Sequence, residues 1–237
     1  MLAVYQITLR QLTGKWRLLI MAALAGMPVA ITTMMLSSSR SPRVEEFEMV
    51  VLNTMLSGSI IPLVVLAIGG AAFANETEDR TLANLTLTPL PRWKIVWAKL
   101  LGVISVAGPF IGLSAFFTGY IAFLGDPTAT IAITASAVAG LVLYGAFFTW
   151  LGLKTTYAIG AGLMYIMLWE GFITGFVSGA RVLSIRHYAV SWMHVLDPRR
   201  FPNVEHPAVA SVVAISAIAF AGFVWLSVRR LRKMDIP

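Results

Sequence analysis

The sequence predicts an all-α integral membrane protein with six spanning helices. Three observations carry that prediction. The hydrophobic fraction is 58% and the mean hydropathy is +0.80. Charged residues make up only 12% of the chain, about half the share of an average soluble domain. The apolar residues also gather in runs of roughly 20, the length that crosses a bilayer core at about 1.5 Å per residue. A soluble chain of 237 residues has no use for this much apolar surface.

Residues 1–16 come first. Leu2, Tyr5, Leu9, Leu12 and Trp16 recur at helical spacing, with Gln6, Arg10, Gln11 and Lys15 on the other side. This pattern predicts an amphipathic helix in the membrane interface that turns into the bilayer at Gly14, the alternative being a simple cytoplasmic extension of the first span. The apolar run that follows is too long for a signal peptide and has no small-residue cleavage site at its end, so it reads as an uncleaved span. The six spans are placed at 17–36, 49–74, 95–124, 131–153, 156–178 and 208–228. Pro28, Pro62 and Pro109 fall inside spans. They free backbone carbonyls that neighbouring helices must satisfy, so the helices should bundle, and the third span should tilt or break at Pro109. Two longer connections remain, 75–94 and 179–207. The whole of 1–237 reads as one transmembrane domain.

Lys/Arg counting sets the orientation. With both termini in the cytoplasm, twelve basic residues fall inside and six outside, which favours a multi-pass cell-membrane protein with cytoplasmic ends. The net charge of +7 is accounted for in the same way, because its basic residues flank apolar runs; no nucleic-acid partner is expected. The Asn75-Glu76-Thr77 and Asn84-Leu85-Thr86 glycosylation patterns then lie inside and are chance matches. Absence of cysteine excludes disulfides, thiol catalysis and thiolate-bound metal.

Residues 75–99 are the most informative stretch. Asn75 is a good N-cap and Glu78 can close a capping box. Glu76, Glu78 and Asp79 suit the positive end of a helix dipole. Leu82 and Leu85 form a short apolar stripe, and Pro89 and Pro91 stop the helix. Arg92, Trp93, Lys94 and Trp97 then lead back into the interface. The plain reading is a loop helix that only connects two spans. Yet Glu76, Glu78, Thr81, Leu85, Pro89, Arg92 and Lys99, in that order and spacing, resemble the signature of ABC exporter permeases of the second type, also called the type V exporter fold. Arg80 departs from the glycine usual there. Trp169-Glu170 is similar to a pair found near the end of the fifth span in that family.

The resemblance implies an N-terminal interfacial elbow helix (1–16) and six spans. It implies a cytoplasmic coupling loop (75–94) that docks on an ATP-binding ABC subunit through Glu76, Glu78, Thr81, Leu82, Leu85, Pro89 and Arg92. It also implies an external re-entrant segment (179–207), and two permease copies, identical or not, enclosing an outward path in the bilayer. The only Gly-Lys pair, Gly14-Lys15, is followed by Trp16 and lacks the upstream glycine of a phosphate-cradling loop. ATP and magnesium are therefore expected on the partner, with no cofactor and no catalytic residue in this chain.

Glu170 is the one acid well inside a span. An ionised acid at a helix centre costs about 2.5–3.5 kcal/mol on insertion scales, so it should face protein or water. It reads either as a gating, proton or substrate contact, or as a structural hydrogen-bond acceptor. Gly171, Gly175 and Gly179 repeat every fourth residue, which permits close helix packing, within the chain or between copies, or a re-entrant turn. His187 and His194 stand about two turns apart, too far for one metal ion, and no metal site is expected; Arg186, His187 and His194 read as the wet face of an external amphipathic helix. Arg229, Arg230, Arg232 and Lys233 read as a positive-inside anchor. The main alternative is an ion-coupled secondary transporter that uses Glu170. An intramembrane enzyme is harder to assemble, since no histidine and no clear pair of acids sits within a span.

Overall fold

The computed structural model describes residues 1–37, 44–73, 90–201 and 207–233. Among the described residues the regular structure is entirely helical. The elements are α1 (Leu2–Leu12), α2 (Lys15–Ser37), α3 (Glu45–Phe73), α4 (Arg92–Ala122), α5 (Pro127–Lys154), α6 (Ala158–Phe176), α7 (Ile185–Leu196) and α8 (Val209–Lys233). Six of them, α2 to α6 and α8, are long and apolar enough to cross a membrane. Each overlaps one of the six spans expected from the sequence. Leu231 of α8 clusters with Phe73, Ile95, Val96 and Leu153, and Gln11 of α1 meets Lys99, so both ends of the chain come to one end of the bundle, here called proximal; the other end is distal.

α5 and α3 form the centre. Of their most apolar windows, 67% and 61% is buried, against 22% for α2 and α6 and 6% for α8. The outer helices therefore leave most of their apolar surface for lipid or for another chain. The centre can be tight because glycines let backbones meet. A Cβ on Gly152 of α5 would stand 2.6 Å from the Gly70 carbonyl oxygen of α3. Gly140 brings α5 against Ala189 of α7 and Ile61 of α3 in the same way.

α4 runs unbroken through Pro109, so the expected break does not occur. Val106, Ala107 and Ile111 on either side of the proline are buried, and this packing holds the helix axis through the missing hydrogen bond. The α4–α5 turn needs left-handed backbone at Leu124 (φ 51°) and Gly125 (φ 81°). Asp126 then caps α5 by accepting from the Thr128 amide, with Pro127 in the first turn.

α1 packs lengthwise on α4. The Tyr5 hydroxyl meets Ser105 Oγ at 2.9 Å, Thr8 lies on Gly102, and Lys99 Nζ donates to Gln11 Oε1 at 3.4 Å. The buried face is Val4, Thr8 and Leu12, whereas Leu2 and Trp16 are 76% and 80% exposed. The apolar stripe read from the sequence is thus turned, because the close approach of Thr8 to Gly102 fixes which side faces α4.

α3 and α6 are not uniform α-helices. Glu48–Ile60 and Tyr165–Ile173 adopt the wider π register. Thr54 and Ser59 follow that register and donate to carbonyls five residues back, Met49 and Thr54. Such stretches gather frequently at functional sites, and both flank the site described next.

Candidate functional site

α6 carries Glu170 within its π stretch, and α6 ends at Val177, which is extended (φ −112°, ψ 103°). A 3₁₀ turn, Ser178–Leu183, leads to Ser184, the N-cap of α7, whose hydroxyl accepts from the His187 amide. The N-terminus of α7 comes to Glu170. Glu170 Oε1 accepts from the Tyr165 hydroxyl (2.7 Å), the Ile185 amide (3.0 Å) and the Arg186 amide (3.4 Å), and Oε2 accepts from Ser184 Oγ (2.5 Å). Residue 165 can reach residue 170 because a π register sets positions five apart on one face. Four donors thereby offset the cost of burying a carboxylate that is only 1% exposed.

Arg186 ties this joint to α3. Its Nε and Nη2 donate to Asn53 Oδ1 at 2.9 and 2.7 Å, and its Nη1 donates to the Glu170 carbonyl at 3.4 Å. Gly58 leaves room for the guanidinium, which would lie 3.1 Å from a Cβ there. The expectation that Arg186 lies on a wet outer face is therefore corrected, since its half-buried head lines the distal hollow and is bonded to two spans, α3 and α6. His187 and His194 are half-buried, not fully wet, and His194 Nδ1 pairs with the Phe201 carbonyl at 2.8 Å. At its far end the segment closes on the α4–α5 turn, where Arg200 Nη2 donates to Asp126 Oδ2 at 2.6 Å and the Arg200 guanidinium stacks over Phe123. Hydrogen bonds from Thr128, then from Arg200, lower the Asp126 pKa from 3.8 to about 2.

Two hollows flank the Glu170–Ser184 joint. The distal one, about 610 Å³, is lined by α3, α6 and α7 and takes in Glu45, Glu48, Asn53, Glu170, Gly171 and Gly175. The other, about 420 Å³, is apolar and lies between α5, α6, α7 and α8, with Phe147, Tyr165, Tyr188 and Phe223 in its wall.

The glycine triplet does not act as one packing stripe within the chain. Gly175 and Gly179 meet nothing within 4 Å, and Gly171 meets only the Ile166 carbonyl of its own helix. Close approach within the chain falls instead to Gly70, Gly102, Gly152 and Gly162. Glu76, Glu78, Thr81, Leu82, Leu85 and Pro89, together with Glu205 and His206, lie outside the described residues. Arg92 opens α4 after the extended Pro91. Lys99, 1% exposed, lies at the proximal end between Gln11 of α1 and the ring of Phe73, the last residue of α3. Asn53, Tyr165, Ser184 and Glu48 escaped the sequence reading. The available signals were a polar residue in an apolar run for Asn53, and a serine directly before an amphipathic helix for Ser184.

Six helices long and apolar enough to cross a membrane, with α3, α6 and α7 joined at the distal end through Glu170 and Arg186, describe a polytopic membrane protein. Residues 13–192 match the family described as ABC-2 family transporter protein, and the chain belongs to that family as the membrane component of an ABC transporter. No curated protein matches the chain.

Proposed function

We propose that this chain is the permease of an ATP-driven exporter of the type V fold. Two copies form the path, and separate ATP-binding subunits carry ATP and magnesium. The observation that carries this reading is the family match over residues 13–192, which takes in the charged segment between α3 and α4. Both termini are cytoplasmic, on the twelve-to-six division of basic residues. The segment 75–94 is the coupling loop, with Glu76, Glu78, Thr81, Leu82, Leu85, Pro89 and Arg92 facing the ATPase. α1 is the elbow, supported by its lengthwise contact with α4 through Tyr5, Thr8 and Gln11. Residues 179–207 are the external re-entrant segment, supported by Ala189 lying against Gly140 at mid-length of α5.

Closure of the ATPase pair moves the coupling loop, and α3 and α4 move with it. At the distal end the Glu170 and Arg186 bonds join α3, α6 and α7, so motion of α3 reaches the external segment. Glu170 serves as a gating joint. Direct ion coupling at Glu170 has less support, because the carboxylate already holds four donors from within the chain. The exposed glycines 171, 175 and 179 are available to a second copy. Cargo is hydrophobic or amphipathic.

The test is a pull-down of the tagged chain from native membranes in mild detergent. Recovery of an ATPase with a phosphate-cradling loop, lost when Glu76 and Glu78 are reversed to lysine, is the expected result. Recovery of the chain alone, with transport that needs no ATP, rejects this reading in favour of a secondary transporter.

A further inference from the structure

We infer that the distal cavity is a binding site for a cationic amphiphile, an alkylamine-like group whose ammonium pairs with Glu48. Glu48 begins the π stretch of α3, lines the cavity and is 8% exposed. Its Oε1 has no hydrogen-bond partner. Of the buried side-chain oxygens without a partner among the described residues, it is the one in this cavity. A buried acceptor left empty is costly, and a ligand that donates to it recovers that cost.

Three other charged groups of the cavity are engaged within the chain. Glu170 holds four donors, Arg186 holds Asn53 and the Glu170 carbonyl, and Arg181 Nε donates to the Thr174 carbonyl at 3.3 Å. Glu45 adds a second carboxyl group on the Glu48 wall. That wall attracts a cation and repels an anion. The remainder of the lining includes Met49, Leu52, Val190 and Met193, apolar and in part flexible, which suits a hydrocarbon body of variable shape. One group that donates and carries positive charge, attached to an apolar body, suits both the Glu48 wall and the apolar part of the lining.

The inference rests on the transporter reading, because the occupant is its cargo. Binding is measured on the chain without nucleotide, so a missing ATPase and a missing amine are separate results. Hexylamine is titrated into the full chain in non-ionic detergent at pH 7, with hexanol and hexanoate as matched neutral and anionic probes. Calorimetry gives the affinity and thermal unfolding gives the shift in Tm. Hexylamine is expected to bind and raise Tm; hexanol and hexanoate are not. Glu48→Gln, which keeps the shape and removes the charge, is expected to weaken hexylamine by about tenfold or more, the range of a charge-assisted hydrogen bond. Met193→Ala, which leaves the charges alone, is expected to weaken it several-fold and serves where Glu48→Gln fails to fold. Equal binding of hexylamine and hexanol, or unchanged hexylamine affinity in either variant, overturns the inference.

Discussion

Glu170 shows why a costly residue can sit in a span. Its desolvation is offset by donors that lie 14 to 16 residues further along the chain, at Ser184, Ile185 and Arg186. Glu170→Gln replaces one acceptor oxygen with an amide that faces donors. The expected result is a loss of about 1–3 kcal/mol, the cost of leaving buried donors unsatisfied. It is read as a lower Tm and faster protease cleavage at the 3₁₀ turn. A variant as stable and as resistant as the parent removes the joint. Asp126 behaves differently because it is on the surface. Its folded pKa lies below its ordinary value, so the bonds to Thr128 and Arg200 stabilise the fold above about pH 4 and lose that effect as pH falls through about 2. Arg200→Ala is expected to lower Tm slightly at pH 7 and to leave it equal to the parent near pH 2. The effect stays small because water and salt screen an exposed pair. A gap that persists at pH 2 points to packing on Phe123 as its source.

At the scale of elements, glycine decides which helices meet. A Cβ at 152 would lie 2.6 Å from a backbone oxygen, which cannot move aside cheaply. Gly152→Ala is therefore expected to destabilise by about 1–3 kcal/mol, the usual cost of overpacking. Gly102→Ala would put its Cβ 2.6 Å from Thr8, a buried β-branched side chain bonded to the Val4 carbonyl. It is expected to loosen α1 from α4 while the six spans persist, read as increased proteolysis within residues 1–14. Gly175→Ala meets nothing in the chain and is expected to leave Tm unchanged. If it disrupts the association of two copies instead, measured by crosslinking, the exposed glycines form a contact between them. The π stretches were not legible in advance. Glu48–Ile60 and Tyr165–Ile173 are apolar on most sides, so their pattern does not distinguish five-residue from four-residue hydrogen bonding; the contacts of Glu170 and Asn53 do.

For the molecule as a whole, an even number of crossings puts both termini on one side, and the absence of cysteine gives a clean test. Leu124 in the α4–α5 turn is 93% exposed and Tyr157 between α5 and α6 is 82% exposed. Leu124→Cys is expected to react with a membrane-impermeant maleimide on intact cells. Tyr157→Cys is expected to react only after permeabilisation. The reverse pattern places the termini outside and rejects the orientation set by the basic residues. The low burial of α2, α6 and α8 leaves broad apolar faces for lipid or a second copy, while α3 and α5 already form the protein interior.

The sequence by itself determined that the chain is helical, that it has six helices long and apolar enough to cross a membrane, and where each lies to within a few residues. These follow from local quantities: run length against bilayer thickness, capping residues, and proline and glycine at turns. The charged stretch 75–99 also pointed to the family that the match over 13–192 establishes. Only the tertiary structure decided that Pro109 does not break α4, that Val4, Thr8 and Leu12 are the buried face of α1, and that Arg186 turns toward Asn53. It alone brought Glu48 and Glu170 to one cavity, 122 positions apart in the chain. Such contacts depend on which helices lie side by side and how each is rotated, and in a chain that is apolar on nearly every face, periodicity does not encode that rotation.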